Sequence, residues 1–100
     1  MPHKKKMKIL TVCTGNICRS PIAEGILRAI FQADPSMTVS SAGTHAVAGN
    51  PATEFAILAS QEKGIDIACH SARFLDSELI SSSDMVLCME PSHAECGICQ

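Results

Sequence analysis

The chain has 100 residues, 46% of them hydrophobic, and a formal net charge of −2. That is enough chain for one domain with a buried core, though near the low end for an α/β layer structure, and the mild negative charge offers no general attraction to nucleic acid or to an anionic membrane. No apolar stretch approaches a membrane span, and the N-terminus shows neither the apolar region nor the cleavage site of a secretory signal, so a cytoplasmic protein is expected.

Residues 7–12 form an apolar run that reads as a buried strand. Apolar residues at positions 22, 23, 26, 27, 30 and 31 give helical periodicity over residues 21–33. Between them lies Val12-Cys13-Thr14-Gly15-Asn16-Ile17-Cys18-Arg19-Ser20-Pro21. A tight strand-to-helix turn folds its backbone N–H groups inward and adds those of the first helical turn, and both attract an anion. Gly15 suits a positive φ, Asn16 tolerates one, and Ser20 reads as a helix cap with Pro21 at the first helical position. A cysteine in such a field is favoured as thiolate and so as nucleophile. Arg19 supplies a planar fork for two oxygens of a phosphoryl group. The candidate phosphate cradle is therefore Cys13, Thr14, Gly15, Asn16, Ile17, Cys18 and Arg19, with Cys13 and Arg19 as the catalytic pair. The bare spacing of Cys13 and Arg19 is weak as a motif; strand, Gly-Asn turn, Arg, Ser-Pro and helix in this order make it specific.

Asp34-Pro35 stops the helix, and residues 37–42 read as a second strand; strand, helix, strand implies a right-handed crossover and a parallel pair. A loop of small residues follows. Asn50-Pro51 starts a second helix, with Phe55, Ala56, Leu58 and Ala59 available for burial and Gly64 at its end. Residues 65–68 are short and extended, and His70 comes next. Residues 71–80 read as a short helical region with Phe74, Leu75 and Leu79 in the core and Arg73 solvated or ion-paired. Residues 84–89 make a third strand, continuous in apolar character as parallel strands covered on both faces are, with Cys88 as a small core residue. Pro91-Ser92-His93 would open another helix. The six cysteines read as reduced thiols, and Cys96-Gly97-Ile98-Cys99 lacks the second ligand pair of a zinc site, so neither metal nor cofactor is expected. The fold class is α/β, a parallel twisted sheet with helices on both faces.

These residues resemble the low-molecular-weight protein tyrosine phosphatases. The likeness runs through residues 12–24, Ser41-Ala42-Gly43-Thr44, Gly64-Ile65-Asp66 with His70 and Ala72-Arg73, and Asp84-Met85-Val86-Leu87-Cys88-Met89-Glu90 with His93. It implies a three-layer, Rossmann-like fold in one domain over residues 1–100, incomplete at its C-terminus. It also implies hydrolysis of a phosphate monoester, such as a protein tyrosine phosphate, through a phosphocysteine on Cys13, with inorganic phosphate or a similar oxyanion held in the same loop. By the same likeness His70 braces Asn16, Ser20 donates to the Cys13 sulfur, and Cys13 and Cys18 form a reversible disulfide, unless Cys18 merely packs beneath the loop.

Members of that family continue with a fourth strand, a final helix and an Asp-Pro loop whose Asp is the general acid. This sequence has no Asp after Asp84, so that acid cannot be carried over and impaired turnover is expected. The third strand's uncovered edge invites self-association. A phosphotyrosine pocket has aromatic walls, whereas Phe31, Phe55 and Phe74 fall at helix positions that suit the core, leaving Ile17 and residues 44–49 to meet a ring. The rival readings are an arsenate reductase relaying oxidation from Cys13 through Cys88 and Cys96 or Cys99, and a phosphate-binding module without catalysis.

Overall fold

The computed structural model describes residues 6–89. The expected helix at Pro91 and the Cys96-Cys99 pair lie outside the described residues. Three parallel strands, β1 (Met7–Cys13), β2 (Met37–Gly43) and β3 (Met85–Cys88), form a sheet in the order β2-β1-β3. Between them run α1 (Arg19–Ile30), α2 (Glu54–Gln61) and α3 (Ser77–Ser82). Among the described residues no strand lies beyond β3, and no helix is long and apolar enough to cross a membrane.

β1 is central, and its alternation divides the molecule into layers. Leu10 and Val12, fully buried, face Ala42, Leu75 and the half-buried Leu79 and Ile80 of α3. Each such aliphatic side chain stabilises the fold by about 1.5–3 kcal/mol on burial. Thr11 faces the other layer, where its hydroxyl donates to the Ser20 carbonyl of α1 at 2.9 Å. Cys13 shares the parity of Thr11, so the sheet aims its sulfur at the start of α1.

α1 starts at Arg19, two residues before the expected boundary, and Cys18 at its N-cap makes no side-chain capping bond. Ser20 is therefore inside the first turn and is not the cap. Its hydroxyl is engaged by Cys13 and Asn16 instead. A Cβ on Gly25 would come within 2.8 Å of Ile65 Cγ2 and 2.9 Å of Ile67 Cγ2, so α1 lies almost in contact with residues 65–67.

The buried face of α2 differs from the expected one. Ala56 is buried as expected, with Ala52 beside it against Cys18 and Ile22, and Ser60 is buried too, whereas Phe55 is 70% and Leu58 53% exposed. Apolar residues stand on both sides of this helix, so periodicity alone could not select a face. The backbone bond from Thr53 N–H to Ile17 O, 2.7 Å, holds the helix start so close that only small residues fit beneath it.

Ser60 is fully buried, and among the described residues its hydroxyl has no hydrogen-bond partner. Removing an unsatisfied buried group and substituting the best helix former should both be favourable. Ser60→Ala is expected to stabilise the protein by about 1–2 kcal/mol, measurable by urea denaturation as a higher midpoint at unchanged slope.

Residues 71–76 are extended, not helical as expected. Ala72 N–H donates to Asn50 O, Gly43 N–H to Arg73 O, and Leu75 N–H to Gly43 O, which lays this segment along the outer edge of β2. Helix α3 begins only after Asp76, whose Oδ1 caps Leu79 N at 2.8 Å. Phe74 is consequently 57% exposed, outside the core.

Candidate functional site

The loop after β1 turns on Asn16, the one non-glycine residue with positive φ among those described, at 56°. Gly15, expected to take a positive φ, does not. Asn16 is fully buried and makes four bonds. Its backbone N–H donates to Cys13 Sγ at 3.2 Å, and its Nδ2 donates to Ser20 Oγ at 2.8 Å. Its Oδ1 accepts from Arg73 N–H at 2.8 Å, and its carbonyl accepts from His70 Nε2 at 2.6 Å.

One of these bonds fixes a proton position. A backbone carbonyl can only accept, so His70 carries its proton on Nε2. Ser20 Oγ accepts from Asn16 Nδ2 and lies 2.9 Å from Cys13 Sγ, with which it shares a hydrogen bond. The buried sulfur thus accepts from the Asn16 N–H and is hydrogen-bonded to the Ser20 hydroxyl. His70 braces Asn16, as the family likeness implied, and the brace acts on the backbone carbonyl.

Around this sulfur the N–H groups of Gly15, Ile17 and Cys18 have no acceptor among the described residues. Backbone donors left unpaired at a helix start form a cradle for an anion. Thr14 sits at the exposed rim with His45 N–H donating to its carbonyl at 2.8 Å. Arg19 is also at the rim, exposed, with Nη1 3.4 Å from the Met89 carbonyl at the end of β3. Of the expected ring contacts, Ile17 is half-buried beside the start of α2, and Val47 is exposed on the neighbouring loop.

Behind the loop lies a cavity of about 380 Å³ lined by Glu24, Arg28, Asp66, Cys69, His70 and Arg73 among others. None of residues 13–19 borders it, so it is distinct from the cradle. Glu24 accepts from Ser41 Oγ at 2.5 Å and pairs with Arg28 at 2.7 Å, and one of its oxygens stands 3.8 Å from His70 Nδ1. Arg73 supports the loop through its backbone N–H on Asn16, while its side-chain Nε donates to Ser41 O of β2.

Cys13, Cys18 and Cys69 are free thiols. Cys88, expected as a reduced core residue, is half-buried and disulfide-bonded. Among the described residues no group of three or more His, Cys, Asp or Glu could hold a metal ion.

Sequence reasoning missed two supports of the loop. The Arg73 backbone N–H carries no sequence signal at all. Gly43 does, in Ser-Ala-Gly: a Cβ there would stand 2.6 Å from Thr14 O and 2.7 Å from Asn16 N, both backbone atoms of the loop. These neighbours cannot rotate away. Gly43→Ala is expected to push the loop off its bonding positions, weakening phosphate binding at least tenfold by calorimetry and costing about 1–3 kcal/mol of stability.

A model of the family described as low molecular weight phosphotyrosine protein phosphatase matches residues 8–100. The low molecular weight protein-tyrosine-phosphatase Etp of Escherichia coli K12 is 40% identical over 93 residues, which are 93% of this chain and 61% of Etp. Wzb of Vibrio vulnificus, solved in complex with benzylphosphonate, superposes with a TM-score of 0.82 at 39% identity, covering 93% of this chain and 66% of that one. The YwlE arginine phosphatase of Geobacillus stearothermophilus gives a TM-score of 0.81 at 39% identity, covering 90% of this chain and 56% of that one. The chain spans a little over half the length of the curated relatives it matches, 54–61%.

Proposed function

The chain belongs to the low molecular weight phosphotyrosine protein phosphatase family, and from that premise we propose that it hydrolyses a phosphate monoester, of the protein tyrosine phosphate type, through a phosphocysteine on Cys13. The observation that carries this reading is the buried Cys13 sulfur, held by Ser20 and Asn16 on the floor of a loop whose outer N–H groups are unpaired.

The thiolate attacks phosphorus from that floor; the S–P bond forms as the bond from phosphorus to the leaving oxygen breaks, and the leaving oxygen departs as the phenolate of a good leaving group or takes its proton from water. The N–H groups of Gly15, Ile17 and Cys18 bind the equatorial oxygens. Arg19 swings from the Met89 carbonyl onto two of them as a fork. Charge redistributes on these oxygens in the transition state, which is where fixed donors lower the barrier. Water then attacks the phosphocysteine, releasing inorganic phosphate and restoring the thiol. Ser20 stabilises the sulfur as nucleophile in the first step and as leaving group in the second.

The hundred residues contain no aspartate after Asp84 to protonate the leaving oxygen. General acid help is typically worth about 10²- to 10⁴-fold, so the chain should turn over esters of good leaving groups and lag on alkyl esters by that order. Following phenolate release from para-nitrophenyl phosphate from the first turnover tests the reading. A burst of one equivalent followed by slow release supports a phosphocysteine. A folded chain that binds phosphate and releases no phenolate would leave it a phosphate-binding module.

A further inference from the structure

We propose that Thr53, the N-cap of α2, is a positioning residue of the anion site, its backbone N–H aiming the Cys18 N–H at the bound phosphate; the assignment rests on the phosphatase reading above. Three carbonyls within the loop are held by donors outside it. His45 N–H donates to Thr14 O at 2.8 Å, His70 Nε2 to Asn16 O at 2.6 Å, and Thr53 N–H to Ile17 O at 2.7 Å. A planar trans peptide points its carbonyl and the following N–H in opposite directions, and no peptide bond among the described residues is cis. Each carbonyl drawn outward therefore turns the next N–H inward. Those next groups are the N–H of Gly15, Ile17 and Cys18, the same three that have no acceptor among the described residues.

Of these anchors Thr53 is the one that ties the loop to a helix. It is itself fixed: Thr53 Oγ accepts from Ala56 N–H at 3.1 Å, and Thr53 O accepts from Ile57 N–H at 3.0 Å. Beside it Ala52 and Ala56 pack against Cys18 and Ile22. The Ile17 carbonyl therefore cannot swing without breaking its bond or pulling the first turn of α2 with it. Cys18 is the N-cap of α1 and makes no side-chain capping bond, so its N–H is aimed from across the loop, through the peptide before it. A donor already in place when the anion arrives is worth more than one that must be ordered on binding. Residue 53 thus does two separate jobs: its hydroxyl starts α2, and its N–H sets the loop.

Titration with inorganic phosphate, read by calorimetry and by amide chemical shifts, tests this without relying on turnover. Replacing Thr53 by its α-hydroxy acid exchanges the N–H for an ester oxygen and keeps the side chain. Phosphate affinity should then fall about tenfold, the worth of one hydrogen bond to a charged group. The phosphate-induced shift of the Cys18 amide should shrink, while those of Gly15 and Ile17 persist. Thr53→Pro removes the same N–H at a φ of −64°, which proline adopts, and Thr53→Ala keeps it; both lose the helix cap. The alanine variant should therefore bind phosphate about tenfold more tightly than the proline variant. The ester chain, which keeps the cap, decides the matter if proline unfolds the helix start. Wild-type affinity in the ester chain overturns the assignment, as does an equal loss in Thr53→Ala, which would place the effect in the cap. Loss of all three amide shifts together overturns it too, because the loop would then have loosened as a whole. Failure of the wild-type chain to bind inorganic phosphate overturns the phosphatase reading itself, before any variant is compared, and this assignment with it.

Discussion

Cys13→Ser is expected to release no phenolate above background from para-nitrophenyl phosphate while still binding inorganic phosphate as tightly as the wild type, or more tightly. The substitution exchanges sulfur for oxygen and leaves the cradle of Gly15, Ile17 and Cys18 N–H groups and the Arg19 fork in place. A serine hydroxyl is a weak nucleophile at neutral pH unless a base removes its proton. Here the neighbours of position 13 are the Ser20 hydroxyl and the Asn16 backbone N–H, and neither is a base. Phenolate release read against phosphate titration separates the two effects. Loss of phosphate binding together with activity would mean that Cys13 holds the loop together and is not its nucleophile.

Asn16→Ala should be the most damaging single change to the loop. It leaves the buried Ser20 hydroxyl without its donor and the Arg73 N–H without its acceptor, each worth about 1–3 kcal/mol when left unmade. It also places alanine at φ 56°, a left-handed conformation that costs a residue with Cβ about 1–2 kcal/mol. The expected total is about 3–8 kcal/mol, a large share of the 5–15 kcal/mol typical of a whole domain. Phosphate binding should fall with it, because the N–H groups on either side are aimed by this residue. Asn16→Gly provides the internal check. It removes the same side-chain bonds but relieves φ, so urea denaturation should show it less destabilised than Asn16→Ala by about 1 kcal/mol. Equal losses would mean that the backbone conformation at Asn16 carries no cost.

The two variants probe different parts of one construction. Position 13 is chemical and local, whereas position 16 ties together His70 and Arg73, which lie 54 and 57 residues away along the chain. Stability and activity are therefore expected to separate at Cys13 and to fall together at Asn16.

The same division explains what could be read before any coordinates. The loop is contiguous: its candidate nucleophile, its turn residue, its arginine and its helix start occupy ten successive positions, and Asn16 suits the left-handed turn by a local rule, although neither Gly15 nor Ser20 takes the role expected of it. The central strand β1 is legible for a related reason, since a strand covered on both faces is rich in apolar residues, here Met7, Ile9, Leu10 and Val12. Placement of His70 against Asn16 required a family resemblance, because a histidine in a short extended segment has no periodic signature. Arg73 escaped even that, since it acts through an N–H that every non-proline residue has. The face of α2 was decided by how near the helix comes to Ile17, which favoured Ala52, Ala56 and Ser60 over the larger Phe55 and Leu58. The class of the fold and the position of the candidate loop follow from the sequence alone, because both rest on local conformation and on hydrophobic burial. What holds the loop in shape was decided by the tertiary structure, because it depends on close approach between backbones far apart in the chain.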